Sequence, residues 1–224
     1  DFVSNVSHEL RTPLASIRAL VETMEGGIEP EDEQEFLRRI RQQVDRLTTL
    51  VNELLDLSRI ESGAITLQPE PVLLAELVAE AASLLRAKAE PLGVTVTDEG
   101  CDMTVEADRA SLLRVVSNLL DNAIKFSPAG GTVRVSAADE GALVALSVSD
   151  DGPGIKEQSL PRVFERFYKG DASRAEPGVG LGLAIVKHLV RAHGGSSTVV
   201  STPGAGATFT VRLPRRFVGR RREA

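Results

Sequence analysis

A histidine stands at position 8 in SNVSHELRTPLASI, residues 4–17, followed at once by an acid and one helical turn later by a threonine. A reactive histidine needs an accessible ring nitrogen and a pKa near neutrality. The Glu9 carboxylate is placed to reach an imidazole nitrogen or a nearby proton, and Thr12, at i+4, shares the histidine's helix face. An idle surface histidine has the same local pattern. Three further stretches carry chemistry. In NLLDNAIKF, 118–126, Asn118 and Asn122 lie four apart with Lys125 three further on, one polar stripe on a helix. Carboxamide oxygens are hard neutral ligands suited to Mg2+, and the lysine offers a charge to phosphate. A polar helix flank would look alike. In SVSDDGPGI, 147–155, Val144, Leu146 and Val148 alternate toward the core, and Asp150 continues their parity while Asp151 points away. A carboxylate on the apolar side needs a donor, such as the exocyclic amine of a base. Gly152 and Gly154 let backbone approach a flat ligand; a strand-ending turn would explain the glycines but not the parity of Asp150. In GVGLGLAIVKHLV, 178–190, Gly178, Gly180 and Gly182 open an apolar helix whose free amides suit phosphate. The spacing is neither a Walker A loop nor the dinucleotide fingerprint. The polar segment 166–177 before it reads as a nucleotide lid.

These residues must be positioned by two kinds of element. From the start, Val3, Val6, Leu10, Pro13, Ile17, Leu20 and Met24 recur in steps of 3 and 4, as do Leu37, Ile40, Val44, Leu47, Val51 and Leu54. Both segments are expected as helices with coiled-coil-like seams, joined by a turn and an acidic helix start at 26–34. Leu14, Val21, Leu50 and Leu55 widen the stripe, so a second copy would cover it as a dimeric four-helix bundle. With Val3 at heptad position a, His8 falls at f, away from the seam. Pro13 lacks an amide hydrogen and crowds the Glu9 carbonyl, so the helix is expected to bend one turn past His8. That bend is either a hinge or a kink that merely shapes the bundle. Beyond residue 63 the rhythm changes. Strands are expected at 65–69, 93–97, 102–106, 132–138, 142–149, 196–201 and 206–213, and helices at 74–90, 108–126 and 181–193. Short turns at 138–142 and 202–207 suggest antiparallel ladders under three helices, a two-layer α+β domain.

The totals suit one or two domains of ordinary soluble, globular composition. The 224 residues are 42% hydrophobic and only 4% aromatic, so the core is aliphatic. A net charge of −6 gives no general reason to bind nucleic acid. Cys101 is the only cysteine, which excludes an intrachain disulfide. The chain has no run of 18 apolar residues to cross a membrane. It begins at Asp1 inside a helical pattern and reads as a piece of a longer protein. The basic cluster at 215–222 reads as a frayed tail. His188 and His193 read as structural, His193 as a cation at a helix C-terminus.

Together the motifs resemble the sensor histidine kinases of two-component signalling with a HisKA-type dimerisation helix, over nearly all of 1–213. SHELRTPL matches the H box, NLLDNAIKFS the N box, DDGPGI the G1 box, FERFYKGD the F box and GVGLGLAIVKHLV the G2 box. The resemblance implies a dimerisation and phosphotransfer domain at 1–64, a Bergerat-type ATP-binding domain at 65–214 and a basic tail at 215–224. It implies that His8 accepts a phosphoryl group, with Glu9 as acid/base neighbour and Thr12 positioning a hydrolytic water in the reverse reaction toward a response regulator receiver domain. Asn122, helped by Asn118, would hold Mg2+, Lys125 would meet phosphate and Asp150 would recognise the adenine of ATP. Gly152, Gly154, Lys169, Gly178, Gly180, Leu181 and Gly182 would line the nucleotide, with 166–180 as lid. The resemblance also implies a homodimer and a cytoplasmic location, with room for an inner-membrane anchor in the full-length protein. Asp151 stands where Asn is frequent, Lys169 where Arg is frequent, and Ala207 where Thr is frequent. The rival readings are another ATPase of the same nucleotide fold, which leaves His8 idle, and a degenerate kinase acting as a dimeric scaffold.

Overall fold

The computed structural model describes residues 2–27, 29–61, 66–170 and 179–217. The expectations that fall on Gly178, on 171–178 of the lid, on residue 65 and on 218–224 lie outside the described residues, as does the side chain of Val3. The chain divides into two compact units, Asp1–Ser58 and Arg59–Ala224.

The first unit is the expected hairpin. Helix α1 spans Phe2–Glu25 and runs unbroken through Pro13, while α2 spans Pro30–Glu61. Gly27, at φ +92°, ends the first helix, its amide bonded to the Met24 carbonyl. Glu31, Asp32 and Glu33 occupy the first turn of α2, where acids suit the helix dipole. On α1 the expected seam holds: Val6, Leu10, Pro13, Ile17, Leu20 and Met24 are all shielded, as are Glu9 and Ser16 beside them. On α2 it needs correction. Ile40, Leu47 and Leu54 are shielded, but Leu37, Val44 and Val51 are exposed. Phe36, Leu50 and Leu57 take their places, and Leu50 and Leu57 are buried. The α2 stripe is wide enough to serve two interfaces, so one sequence rhythm covers both an inner and an outer seam.

The second unit carries helices α3 (Leu74–Ala89), α4 (Arg109–Phe126) and α5 (Gly182–Ala192). Its strands are β1 (Pro69–Leu73), β2 (Thr95–Asp98), β3 (Thr104–Asp108), β4 (Thr132–Glu140), β5 (Leu143–Asp150), β6 (Ser196–Ser201) and β7 (Ala207–Pro214). A five-stranded sheet has the order β2-β4-β5-β7-β6, and β1 pairs with β3 in a separate two-stranded sheet. The expected ladders β4–β5 and β6–β7 are antiparallel, but β2 pairs with β4 in parallel. A parallel neighbour needs a long crossover, and α4 lies within that connection. The first strand begins four residues later than expected. Pro69 and Pro71 are tolerated there because β1 has a partner on one side only. Strand β3 starts at Thr104, since Cys101 and Met103 close a turn through Asp98 Oδ1 and the Cys101 carbonyl. Burial pushes the Cys101 thiol up to about 12, which leaves it inert packing.

Helix α4 buries Leu112, Val115, Val116, Leu119, Leu120, Ala123 and Ile124, the 3-4 spacing of its sequence. Asp108 caps it, one carboxylate oxygen accepting the Ser111 amide at 2.9 Å and the other the Gln68 amide at 2.9 Å. His193 is only 2% exposed, and this corrects the expected cation. Its Nε2 accepts the Asp108 amide at 3.1 Å and its Nδ1–H donates to the Leu189 carbonyl at 2.8 Å, the tautomer of a neutral ring. Burial lowers its pKa below the ordinary histidine range. The unfolded chain therefore takes up this proton first, and stability is lost as pH falls below about 6.5. His193→Gln is expected to cost about 1–2 kcal/mol at pH 7.5. It should also flatten the decline of melting temperature between pH 6.5 and pH 5; an unchanged slope in thermal melts would contradict the neutral, buried ring.

The start of the basic segment is also pinned rather than frayed. The Arg215 carbonyl accepts the Glu106 amide at 3.0 Å, Arg215 Nη2 meets Asp139 at 2.8 Å, and the Phe217 ring lies edge-on to His193.

Candidate functional site

On the hairpin, His8 is exposed, as its place outside the seam requires. Thr12 is exposed on the same face, and its hydroxyl donates to the His8 carbonyl at 3.3 Å. Glu9 is half-buried instead of following the histidine outward. Its carboxylate lies 3.8 Å from Arg46 Nη2 on α2, a partner that sequence spacing did not reveal.

In the second unit three distant stretches of sequence converge. Asp150 ends β5, is 8% exposed and accepts the Gly152 amide at 2.9 Å. The Ala207 amide at the start of β7 also donates to it. Burial pushes its carboxyl above the ordinary range, with the neighbouring Asp151 adding to the shift. The parity of the strand thus places an ionisable acceptor on the apolar side, as expected. Asp151 faces outward onto Arg134 of β4, at 2.9 Å.

Close backbone approach explains the glycines here. A Cβ on Gly152 would stand 2.5 Å from the Phe126 carbonyl oxygen, at the end of α4. On Gly154, at φ +70°, it would stand 2.1 Å from the Thr202 oxygen. The 202–207 stretch, read from sequence as a simple turn, is therefore a wall of this corner. Within it Gly206 lies against the Asp150 carbonyl.

Helix α5 completes the arrangement. Leu181 is buried just before it, and a Cβ on Gly182 would come 3.2 Å from Asn118 Oδ1. So the stripe of α4 meets the glycine-rich start of α5. Asn118 and Asn122 are half-buried on that stripe, beside the buried Val115, Leu119 and Ala123. The Lys125 ammonium lies 4.9 Å from the Phe126 ring centroid. Phe167 and Gly180, at either end of the expected lid, are joined by the Phe167 amide donating to the Gly180 carbonyl at 2.9 Å. Lys169 is half-buried in this segment.

The arrangement can hold a base at Asp150 and anions near the start of α5. No cluster of three His, Cys, Asp or Glu suited to a metal exists among the described residues. The half-buried Asn118 and Asn122 carboxamides fit an ion of the Mg2+ type by their chemistry, as neutral oxygen donors to an ion that takes few protein ligands and fills its shell with water and phosphate oxygens.

Comparison with known proteins bears on both units. Residues 1–63 match the His Kinase A (phospho-acceptor) domain family. Residues 107–216 match the family of histidine kinase-, DNA gyrase B- and HSP90-like ATPases. The chain is 40% identical over 221 residues to the sensor-like histidine kinase SenX3 of Mycobacterium tuberculosis, covering 96% of this chain and 53% of that protein. It is 44% identical over 226 residues to the signal transduction histidine-protein kinase/phosphatase MprB of a Mycobacterium species, covering 96% of this chain and 43% of that one. Among solved structures, full-length ShkA in complex with AMPPNP superposes with a TM-score of 0.73 at 31% identity, over 97% of this chain and 46% of that one. The chain thus spans about half the length of the curated relatives it matches.

Proposed function

The chain belongs to the sensor histidine kinases of two-component signalling, and on that premise we propose that it moves the terminal phosphoryl group of ATP to His8 and onward to an aspartate of a response regulator receiver domain. The observation that carries the reading is an exposed imidazole on one unit together with a base-and-anion corner built on the other. Neither half performs the reaction alone. The presence of AMPPNP in the similar ShkA supports ATP as the nucleotide, and the name of MprB supports a reverse phosphatase activity. A hairpin that matches the phospho-acceptor family disfavours an ATPase that leaves His8 idle.

A neutral ring nitrogen of His8 attacks the γ-phosphorus in line, the bond from that phosphorus to the bridging oxygen breaks, and ADP leaves with its electron pair. Glu9 serves as the acceptor for the proton on the other nitrogen, which requires it to turn from Arg46. Asp150 accepts the amine of adenine, and Gly152 and Gly154 let the base approach the backbone. The amides at Gly180, Leu181 and Gly182, with Gly178 and Lys169 in the lid, meet the phosphates. Lys125 opposes their charge. Asn122 and Asn118 would hold Mg2+, which when bound offsets the charge of the triphosphate. Thr12 orients water for hydrolysis in the reverse direction.

Leu14, Val21, Leu37, Val44, Val51 and Leu55 leave an exposed apolar stripe on the hairpin, which a second copy would cover in a four-helix bundle. No helix among the described residues is long and apolar enough to cross a membrane. We place this part in the cytoplasm and any inner-membrane anchor in the rest of the full-length protein.

Incubation with ATP labelled on the γ-phosphate tests the reading. It expects an alkali-stable, acid-sensitive label on the protein; hydrolysis without label would overturn it. Pro13 marks the turn beyond His8, and its missing amide makes that turn the easiest place for α1 to flex. Pro13→Ala is expected to shift the ratio of kinase to phosphatase activity severalfold with ATP affinity nearly unchanged, as measured on purified protein with a cognate receiver domain.

A further inference from the structure

Strand β5 ends at Asp150, and the adjacent carboxylate of Asp151 just past it leaves the opposite side. Asp150 is buried and Asp151 exposed. Neighbouring like charges disfavour each other's ionised form, and burial already disfavours that of Asp150. Arg134 of β4 pairs in register with Ser149, so it is the diagonal neighbour of Asp151 on the outer face. Its guanidinium grips both oxygens, Nη1 to Oδ1 at 2.9 Å and Nη2 to Oδ2 at 3.3 Å. This pairing holds the Asp151 carboxyl below its ordinary range. Glu99 lies on the far side of the same guanidinium, 3.9 Å from Nε. The other elements at this corner present the Phe126 carbonyl of α4 and the Ala207 amide of β7.

We propose that Arg134 is a positioning residue for nucleotide recognition: by closing a two-point ion pair on Asp151 it lets the adjacent Asp150 receive the amine of adenine as an ionised acceptor. The inference rests on the proposed role of Asp150 in binding ATP. It adds that the base is read through a charge partner on the opposite face of the sheet. Without Arg134, the Asp151 charge acts on Asp150 uncompensated. A nucleotide that presents an amine to Asp150 loses affinity; one that lacks it does not.

The test is titration of the kinase core with ATP and with inosine triphosphate, whose base lacks the exocyclic amine. Arg134→Met is expected to weaken ATP about fivefold, the order of one partly screened charge a few ångströms away, and to change the inosine nucleotide less than twofold. Adding Asp151→Asn to Arg134→Met should restore ATP affinity, and Arg134→Lys should retain most of it. Equal loss for both nucleotides, or no recovery in the double variant, would overturn the role of Arg134. If the wild-type protein failed to prefer ATP over the inosine nucleotide, the base-reading role of Asp150 would fall, and this proposal with it.

Discussion

Replacement of His8 by glutamine is expected to remove the acid-sensitive phosphoryl label from the protein while changing Mg-ATP affinity by less than twofold. The side chain is exposed on α1. A substitution at an exposed helix position away from packing usually changes stability by no more than about 0.5 kcal/mol, so loss of label would not reflect unfolding. Glutamine keeps comparable size and polarity but has no ring nitrogen with a nucleophilic lone pair. The loss should therefore be complete within detection, at least about a thousandfold, the scale seen when a nucleophile is deleted. Asp150 and the Asn118–Asn122 stripe lie in the other compact unit, so the nucleotide should still bind. The two measurements are radiolabel incorporation and equilibrium nucleotide binding on the same preparation. Persistent label in the variant would assign the phosphoryl group to another residue. Loss of both label and binding would mean that the substitution had disturbed more than the acceptor.

Asp150→Asn is expected to lower ATP affinity by roughly ten- to a hundredfold, the value of a hydrogen bond to a charged acceptor. The effect on stability should run the other way as pH rises. Burial raises the Asp150 carboxyl above its unfolded value of about 3.9. Such a group favours the fold most when protonated, below its unfolded pKa. The contribution is lost as pH rises through the folded pKa, where a charge must be held in an apolar place. Asparagine carries no such charge. It can still accept the Gly152 amide, and it weakens the hold on the Ala207 amide at a cost of about 1 kcal/mol. The melting temperature of the variant relative to wild type should therefore climb between pH 4 and pH 8, while ATP binding stays impaired throughout. A relative melting temperature that fell with pH would mean that the carboxylate is stabilised in its charged form and is not held at a cost for function. That combination of lost binding and relieved stability is the signature of a functional carboxylate.

Much of the placement of the candidate site residues was legible because its signals are local. The exposure of His8 follows from counting around a helix from the seam residues on either side. The burial of Asp150 follows from strand parity, which a single segment displays in full. The meeting of Asn118 with the start of α5 was implied only by the order of the five motifs, and its geometry came from the packing of α4 on α5.

Other features depend on partners far away in sequence. The residues Leu37, Val44 and Val51 share one rhythm with Ile40, Leu47 and Leu54, and nothing in that rhythm says which set faces α1. Glu9 and Arg46 belong to different helices, and their approach depends on the hairpin register. The parallel pairing of β2 with β4 is set by the crossover through α4 and not by either strand's own pattern. His193 at the end of α5 suggested a cation until burial and the Asp108 amide made it a neutral acceptor.

By itself, then, the chain's order of residues marked the groups whose types suit the proposed chemistry and determined which face of their own helix or strand they occupy, because those periodicities repeat within a few residues. Only the tertiary structure decided their neighbours: Arg46 beside Glu9, Arg134 on Asp151, the Thr202 and Gly206 backbone against the nucleotide corner. Protonation and charge pairing depend on desolvation and on distances of a few ångströms between segments, and only packing sets those distances.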